Sequence, residues 1–252
     1  MSWRSQRRFS IVLAVAMFFA VVFGGWYYFH KPEPSCTDSL LNQGEIDIDC
    51  GGPCAKVCRA EVLPLVVLWT RANEIKPGVY SVVSYIENPN RSVGIPELPF
   101  EIVLVDAEGQ EVVKTKGKSF ANPKEGFVIF EGNISAPAGL VIGAFLEFSD
   151  TLVWRRLEAR QPNVVVQKKG FETEPVPRLI ADITNLITKP VSNIVIPVVI
   201  SDKEGNVISS SATVVDTVAG GQTTEIYFTW PLALPSEPVF FDFYPRQNFY
   251  ND

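Results

Sequence analysis

Two stretches of this chain read alike at a spacing of about 96 residues, a period that belongs to tandem domains and not to a solenoid of small units. Residues 100–112, FEIVLVDAEGQEV, align with residues 196–208, IPVVISDKEGNVI. In each copy an apolar run ends at an acidic turn, Asp106-Ala107-Glu108-Gly109 or Asp202-Lys203-Glu204-Gly205, and a second strand pattern follows. Glycine closes both turns, where a positive φ is expected and where a Cβ would be strained. Each copy therefore contains the same hairpin.

The flanking residues correspond as well. Residues 66–90 match 163–187, giving a strand, a proline-marked turn and a second strand that ends near Asn88 or Asn185. Residues 127–133 match 223–229, and 143–148 match 240–244. The 17 Gly, 19 Pro and many β-branched and aromatic residues favour short strands joined by turns. About seven such strands per copy predict an immunoglobulin-like or fibronectin-III-like β-sandwich. The domains are expected at residues 60–160 and 161–252, divided where Gln161-Pro162 interrupts strand pairing. The connection is short, which predicts a restricted angle between the modules and suits a spacer. Each copy also resembles the FxLYD and late-embryogenesis-abundant type of β-sandwich, with its first strand ending at asparagine and its long inner strand ending at D-x-x-G. That resemblance implies fold and surface placement and carries no catalytic residues.

Ahead of the repeat, residues 11–29 read IVLAVAMFFAVVFGGWYYF, uncharged and close to the roughly 20 residues that a helix needs to cross a bilayer core. Ile11, Phe18, Phe19 and Phe23 lie in this run, and Trp26, Tyr27 and Tyr28 gather at its end, where amphipathic rings favour the headgroup layer. Arg4, Arg7 and Arg8 precede it, so the basic tail of residues 1–10 is expected in the cytoplasm and everything after His30 outside. The bulky aromatics leave no small-residue cleavage site, which favours a retained anchor over a cleaved signal peptide. The expected whole is a mostly β protein: one transmembrane helix, a linker and cysteine-rich module at residues 30–59, and two tandem sandwiches.

All four cysteines, Cys36, Cys50, Cys54 and Cys58, fall in that module. An even count just outside a membrane argues for two disulfides, with three connectivities open. The segment resembles a surface-protein motif of the form C-x-D-G-x-x-N-x-x-E-x-x-x-D-C-G-G-x-C. Here Cys36, Asp38, Asn42, Glu45, Asp49, Cys50, Gly51, Gly52 and Cys54 match it, with Ser39 in place of a glycine. It covers about a tenth of the chain and implies a surface location. Zinc is disfavoured because the cysteines do not form two C-x-x-C pairs. Calcium is the alternative for this loop, with Asp38, Asn42, Glu45, Asp47 and Asp49 as oxygen donors, against the simpler reading that the acids solvate a turn.

Little in the chain points to catalysis. His30 is the one histidine and stands at the membrane boundary, which removes Ser-His-Asp and Cys-His sites in their ordinary form. There is no phosphate-binding, dinucleotide or metalloprotease motif. A carboxylate-dependent hydrolase is the remote alternative, since paired acids alone can cleave glycosides, but Glu108, Asp202 and Glu204 fall in turns. The net charge of -6 disfavours nucleic acid, whose phosphates attract Lys and Arg. The expected partners are membrane lipid and a protein or surface polymer, with no cofactor. Among the aromatics, Trp69, Trp154, Trp230, Phe240, Phe241, Phe243, Phe249 and Tyr250 are expected mainly in the core, with one face of the C-terminal run exposed. Asn90-Arg91-Ser92 and Asn133-Ile134-Ser135 match the glycosylation pattern.

Overall fold

The computed structural model describes residues 3–29 and 35–250, with helix side chains described from Val12 to Tyr27. It divides into two compact units, residues 1–54 and 55–252. The boundary falls inside the cysteine segment because the residues after Cys54 bond to the β unit: Val57 N–H donates to the Trp154 carbonyl at 3.0 Å, and Arg156 N–H to that of Ala55 at 3.3 Å. The first unit contains one helix, α1 (Trp3–Phe29). Its Phe18, Phe19, Phe23, Trp26 and Tyr27 are exposed. Within the residues whose side chains are described, Val12 to Tyr27 of α1, no helix stretch is long and apolar enough to cross a membrane. The side chains of Arg4, Arg7, Arg8, Ile11 and Tyr28 lie outside the described residues.

The rest is mostly β, with strands making up nearly half of the described residues in several antiparallel sheets consistent with β-sandwiches. The strands of the first half are β1 (Val66–Lys76), β2 (Val79–Glu87), β3 (Val93–Val105), β4 (Glu111–Ala121), β5 (Gly126–Ser135), β6 (Gly143–Phe148) and β7 (Arg155–Arg156). The second half has β8 (Val164–Glu172), β9 (Arg178–Asn185), β10 (Val191–Ser201), β11 (Val207–Val218), β12 (Thr223–Thr229) and β13 (Phe240–Phe243). Sheets β1-β2-β5 and β4-β3-β6, with β7 beside β3, enclose one core; β12-β9-β8 and β11-β10-β13 enclose the other. Side-chain alternation sends Val82 and Ile86 of β2, and Ile102 and Leu104 of β3, into the first core. Leu179 and Ile183 of β9, with Ile196, Val198 and Ile200 of β10, fill the second.

The repeat is visible in individual hydrogen bonds. In both hairpins the aspartate carboxylate accepts two backbone N–H groups: Glu108 at 3.1 Å and Gln110 at 2.8 Å on Asp106, Glu204 at 3.0 Å and Asn206 at 2.8 Å on Asp202. Gly109 and Gly205 take φ of 76° and 84°, the left-handed geometry that glycine adopts without strain. Asn88 and Asn185, expected only as strand ends, are buried clamps. Asn88 Nδ2 donates to the carbonyls of Val93 (2.9 Å) and Asn122 (2.8 Å), and Asn185 Nδ2 to those of Lys189 (2.8 Å) and Val218 (2.9 Å).

The two halves pack face to face. Odd-numbered residues of β2 point away from the first core, so Val83, with Val128 of β5, meets Val199 of β10, and Trp69, Tyr85, Val207 and Tyr244 surround them. Sheet packing through this apolar layer joins the two halves. Beyond β13 the chain returns across the first half. Arg246 exchanges backbone hydrogen bonds with Val195 of β10, and its buried guanidinium reaches Glu125 in the β4–β5 turn, Nε to Oε1 at 3.0 Å and Nη2 to Oε2 at 3.2 Å. It also donates to Ser119 Oγ at 3.1 Å and to the Phe120 carbonyl, and it stacks on the rings of Phe120 and Phe127. Asn122 Nδ2 donates to the Gln247 carbonyl, Asn248 Nδ2 to that of Pro96 (both 3.0 Å), and Tyr250 Oη to that of Arg155 at 3.1 Å.

A buried ion pair contributes little over an apolar pair of the same shape, but removing one partner leaves a desolvated charge. Arg246→Met is expected to lower unfolding stability by about 3–5 kcal/mol, and Glu125→Leu with Arg246→Met to lower it less, both read from urea denaturation. Burial also pushes the Tyr244 and Tyr250 hydroxyls up to about 12 from an ordinary value of 10.0. The unfolded tyrosines lose protons first, so this contribution is intact below pH 10 and falls as pH rises towards 12. Alkaline titration followed by tyrosinate absorbance should show two late-titrating tyrosines and declining stability over that interval.

Candidate functional site

The cysteine module holds the four cysteines and the five oxygen donors singled out by sequence, and its order is covalent. Cys36 is bonded to Cys54, and Cys50 to Cys58. The first bridge spans a sequence separation of 18 residues, a loop whose closure restricts the unfolded chain by about 3 kcal/mol. Between the bridges the backbone turns repeatedly through the left-handed region: Ser39 has φ 61°, Gly44 87°, Asp49 55°, Gly51 75° and Gly52 53°. Ser39 stands where the motif has glycine, and its φ gives the reason for that preference. Gly52 has a second constraint, because a Cβ there would lie 2.1 Å from the Gly44 carbonyl oxygen.

The polar motif residues turn inward and satisfy the donors of these turns. Both carboxylate oxygens of Asp49 accept from Ser39 N–H, at 3.1 and 3.0 Å. Asp38 accepts from Asn42 Nδ2 (2.9 Å), Leu40 N–H (2.9 Å) and Ser35 N–H (3.1 Å). The Asn42 amide, then the Ser35 N–H, hold the Asp38 carboxyl below the ordinary carboxylate range. Glu45 accepts from Asn42 N–H at 3.3 Å and stands 3.2 Å from Cys54 Sγ. Asp47 accepts only its neighbour Ile48 N–H, at 2.8 Å, and is exposed. Among the described residues one set of metal-ligand atoms converges, Cys36, Glu45 and Cys54, and its two sulfurs are bonded to each other. Of the five oxygen donors weighed for calcium, the carboxylates of Asp38, Glu45 and Asp49 accept hydrogen bonds within the module, Asp47 is exposed, and the Asn42 Oδ1 is buried without a hydrogen-bond partner among the described residues.

The other sequence candidates scatter. Trp154 and Trp230 are buried, the latter donating Nε1–H to the Ser210 carbonyl at 3.1 Å. Trp69 joins the layer between the halves, Phe241 and Phe243 pack on the second core, Phe249 is buried, and Phe240 is exposed. Asn90 is buried: its Nδ2 donates to the Leu63 carbonyl at 2.8 Å and its Oδ1 accepts from Leu63 N–H at 2.9 Å. Asn133 is the exposed one of the two sequons. Glu108, Asp202 and Glu204 lie in exposed or half-exposed hairpin turns. His30 lies outside the described residues. Sequence reasoning missed Arg246 and Glu125, whose buried pairing joins residues 121 positions apart.

No family model matches the chain, and no curated protein does. Among solved structures, the transglutaminase of red sea bream aligns at 12% identity over 73% of this chain and 29% of that one, with a TM-score of 0.23. The chain spans less than a third of that protein's length, and so low a TM-score carries no argument about fold or activity.

The glycine geometry makes a specific prediction. Gly52→Ala forces the Gly44–Glu45 backbone apart, so non-reducing peptide mapping is expected to show mispaired cysteines. Gly139→Ala, at a positive φ of 70° in the β unit with open space around it, should leave the Cys36–Cys54 and Cys50–Cys58 pairs intact.

Proposed function

We propose that the chain is a non-catalytic, membrane-anchored module of the cell surface or envelope, with α1 in the bilayer, the N-terminus in the cytoplasm and the disulfide and β units outside. The observation that carries this reading is the sequence of environments along the chain. A helix with exposed apolar side chains is followed directly by a segment whose four cysteines are all oxidised. Exposed Val, Leu, Met and Phe side chains along a helix need an apolar surrounding, and disulfides persist in oxidising compartments. The nineteen-residue apolar run and the three arginines before it support the orientation.

The β unit supplies two immunoglobulin-like sandwiches of the tandem type, and their face-to-face packing favours a compact head over an extended spacer. The absence of an enzyme role is supported by where the reactive groups stand. The thiols are oxidised, and the module's acids bond to their own turns. Binding to a protein or surface polymer through the exposed sheet faces and loops remains the function, with membrane lipid as the partner of the helix.

The experiment is membrane fractionation combined with labelling of an added tag beyond Asp252 on intact cells. Resistance to alkaline carbonate extraction and labelling without lysis are the expected results; release by carbonate, or labelling only after lysis, would overturn the reading. In the same preparation calcium is expected to leave the melting temperature unchanged, whereas a concentration-dependent rise would transfer the acidic loop to the calcium-binding alternative.

A further inference from the structure

The disulfide module is built inside out. Asp38, Asn42, Glu45 and Asp49 are half-buried around the Cys36–Cys54 bridge, while Leu40, Leu41, Ile46 and Ile48 are 59%, 63%, 56% and 52% exposed. In a water-exposed loop the opposite arrangement is favoured, because apolar area removed from water contributes and carboxylates prefer hydration. Nor do these aliphatics hold the module together, since its order rests on the bridges and on carboxylates bonded to backbone N–H groups. Four large aliphatics held outward on a cross-linked scaffold present apolar area without an internal purpose.

The chain's own connectivity names what covers it. Five residues, 30–34, separate the end of α1 from Ser35, so full extension places the start of the module within about 20 Å of the helix end. If Trp26 and Tyr27 mark the headgroup layer, the module is confined to the adjacent aqueous edge, within reach of the interface. Apolar groups there bury into the headgroup and upper acyl region to a depth of about 5–10 Å. The inward-facing acids leave Asp47 as the exposed carboxylate of the loop, which favours a zwitterionic over an anionic surface. We infer that Leu40, Leu41, Ile46 and Ile48 insert into the outer leaflet beside the anchor, so that the module is a second, shallow membrane contact. This inference rests on the membrane reading of α1.

The test uses the full chain, methyl-labelled at Ile and Leu, in phosphatidylcholine nanodiscs with and without a lipid carrying a nitroxide near the top of its acyl chain. The Ile46 and Ile48 methyls, with those of Leu40 and Leu41, are expected to lose several-fold in intensity. Those of Ile142 and Leu232, which are 68% and 52% exposed on the β unit, are expected to be unchanged. Broadening of the Leu13 methyls in α1 without the module's would overturn the inference and leave the anchor standing. Equal broadening of Ile142 and Leu232 would also overturn it, since the contact would then be general to the surface. A chain that does not enter nanodiscs would remove the anchor reading and this inference together.

Discussion

The architecture depends on central sheets that are apolar on both faces. In an ordinary sandwich a strand buries alternate residues and hydrates the rest. Here β2 sends Val82 and Ile86 to the first core and Val83 to the layer shared with the second half, while β10 sends Val198 and Ile200 inward and Val199 across. Separating the halves would expose that layer to water, and the C-terminal chain closes it. Arg246, Asn248 and Tyr250 satisfy carbonyls and a carboxylate of the first half at the open end of its sheets. Two modules that could have been beads on a string form one body.

Much of this was legible because it is local. The acidic hairpin turns, the glycines that end them and the asparagines at 88 and 185 recur at one spacing, and each recurrence reflects a backbone geometry only a few residue types satisfy. The cysteine motif was legible for the same reason: its glycines and Ser39 mark left-handed turns, and its acids mark the donors that those turns leave open.

The lock was not legible, because a pairing over 121 positions has no periodicity. A signal existed in the difference between the copies. Asn88 N–H donates to the Glu125 carbonyl at 2.9 Å and Asn185 N–H to the Gln222 carbonyl at 3.0 Å, so those positions are equivalent. On the same offset, Asn122 and Glu125 of the first copy align with Ala219 and Gln222 of the second. A buried carboxylate in one copy where the other has an exposed amide marks a position that receives something, here Arg246. Side-chain direction in the cysteine loop was hidden for another reason: alternation and helical period set which face is wet, and a cross-linked loop of irregular turns has neither.

If the layer between the halves makes them one body, they must unfold together. Single-tryptophan variants retaining either Trp154 in the first core or Trp230 in the second, with the remaining tryptophans replaced by phenylalanine, report each half separately during urea denaturation. Coincident midpoints and slopes for both probes are the expected result. Two resolved transitions, one per core, would show that the halves are independent and that the shared layer does not hold them.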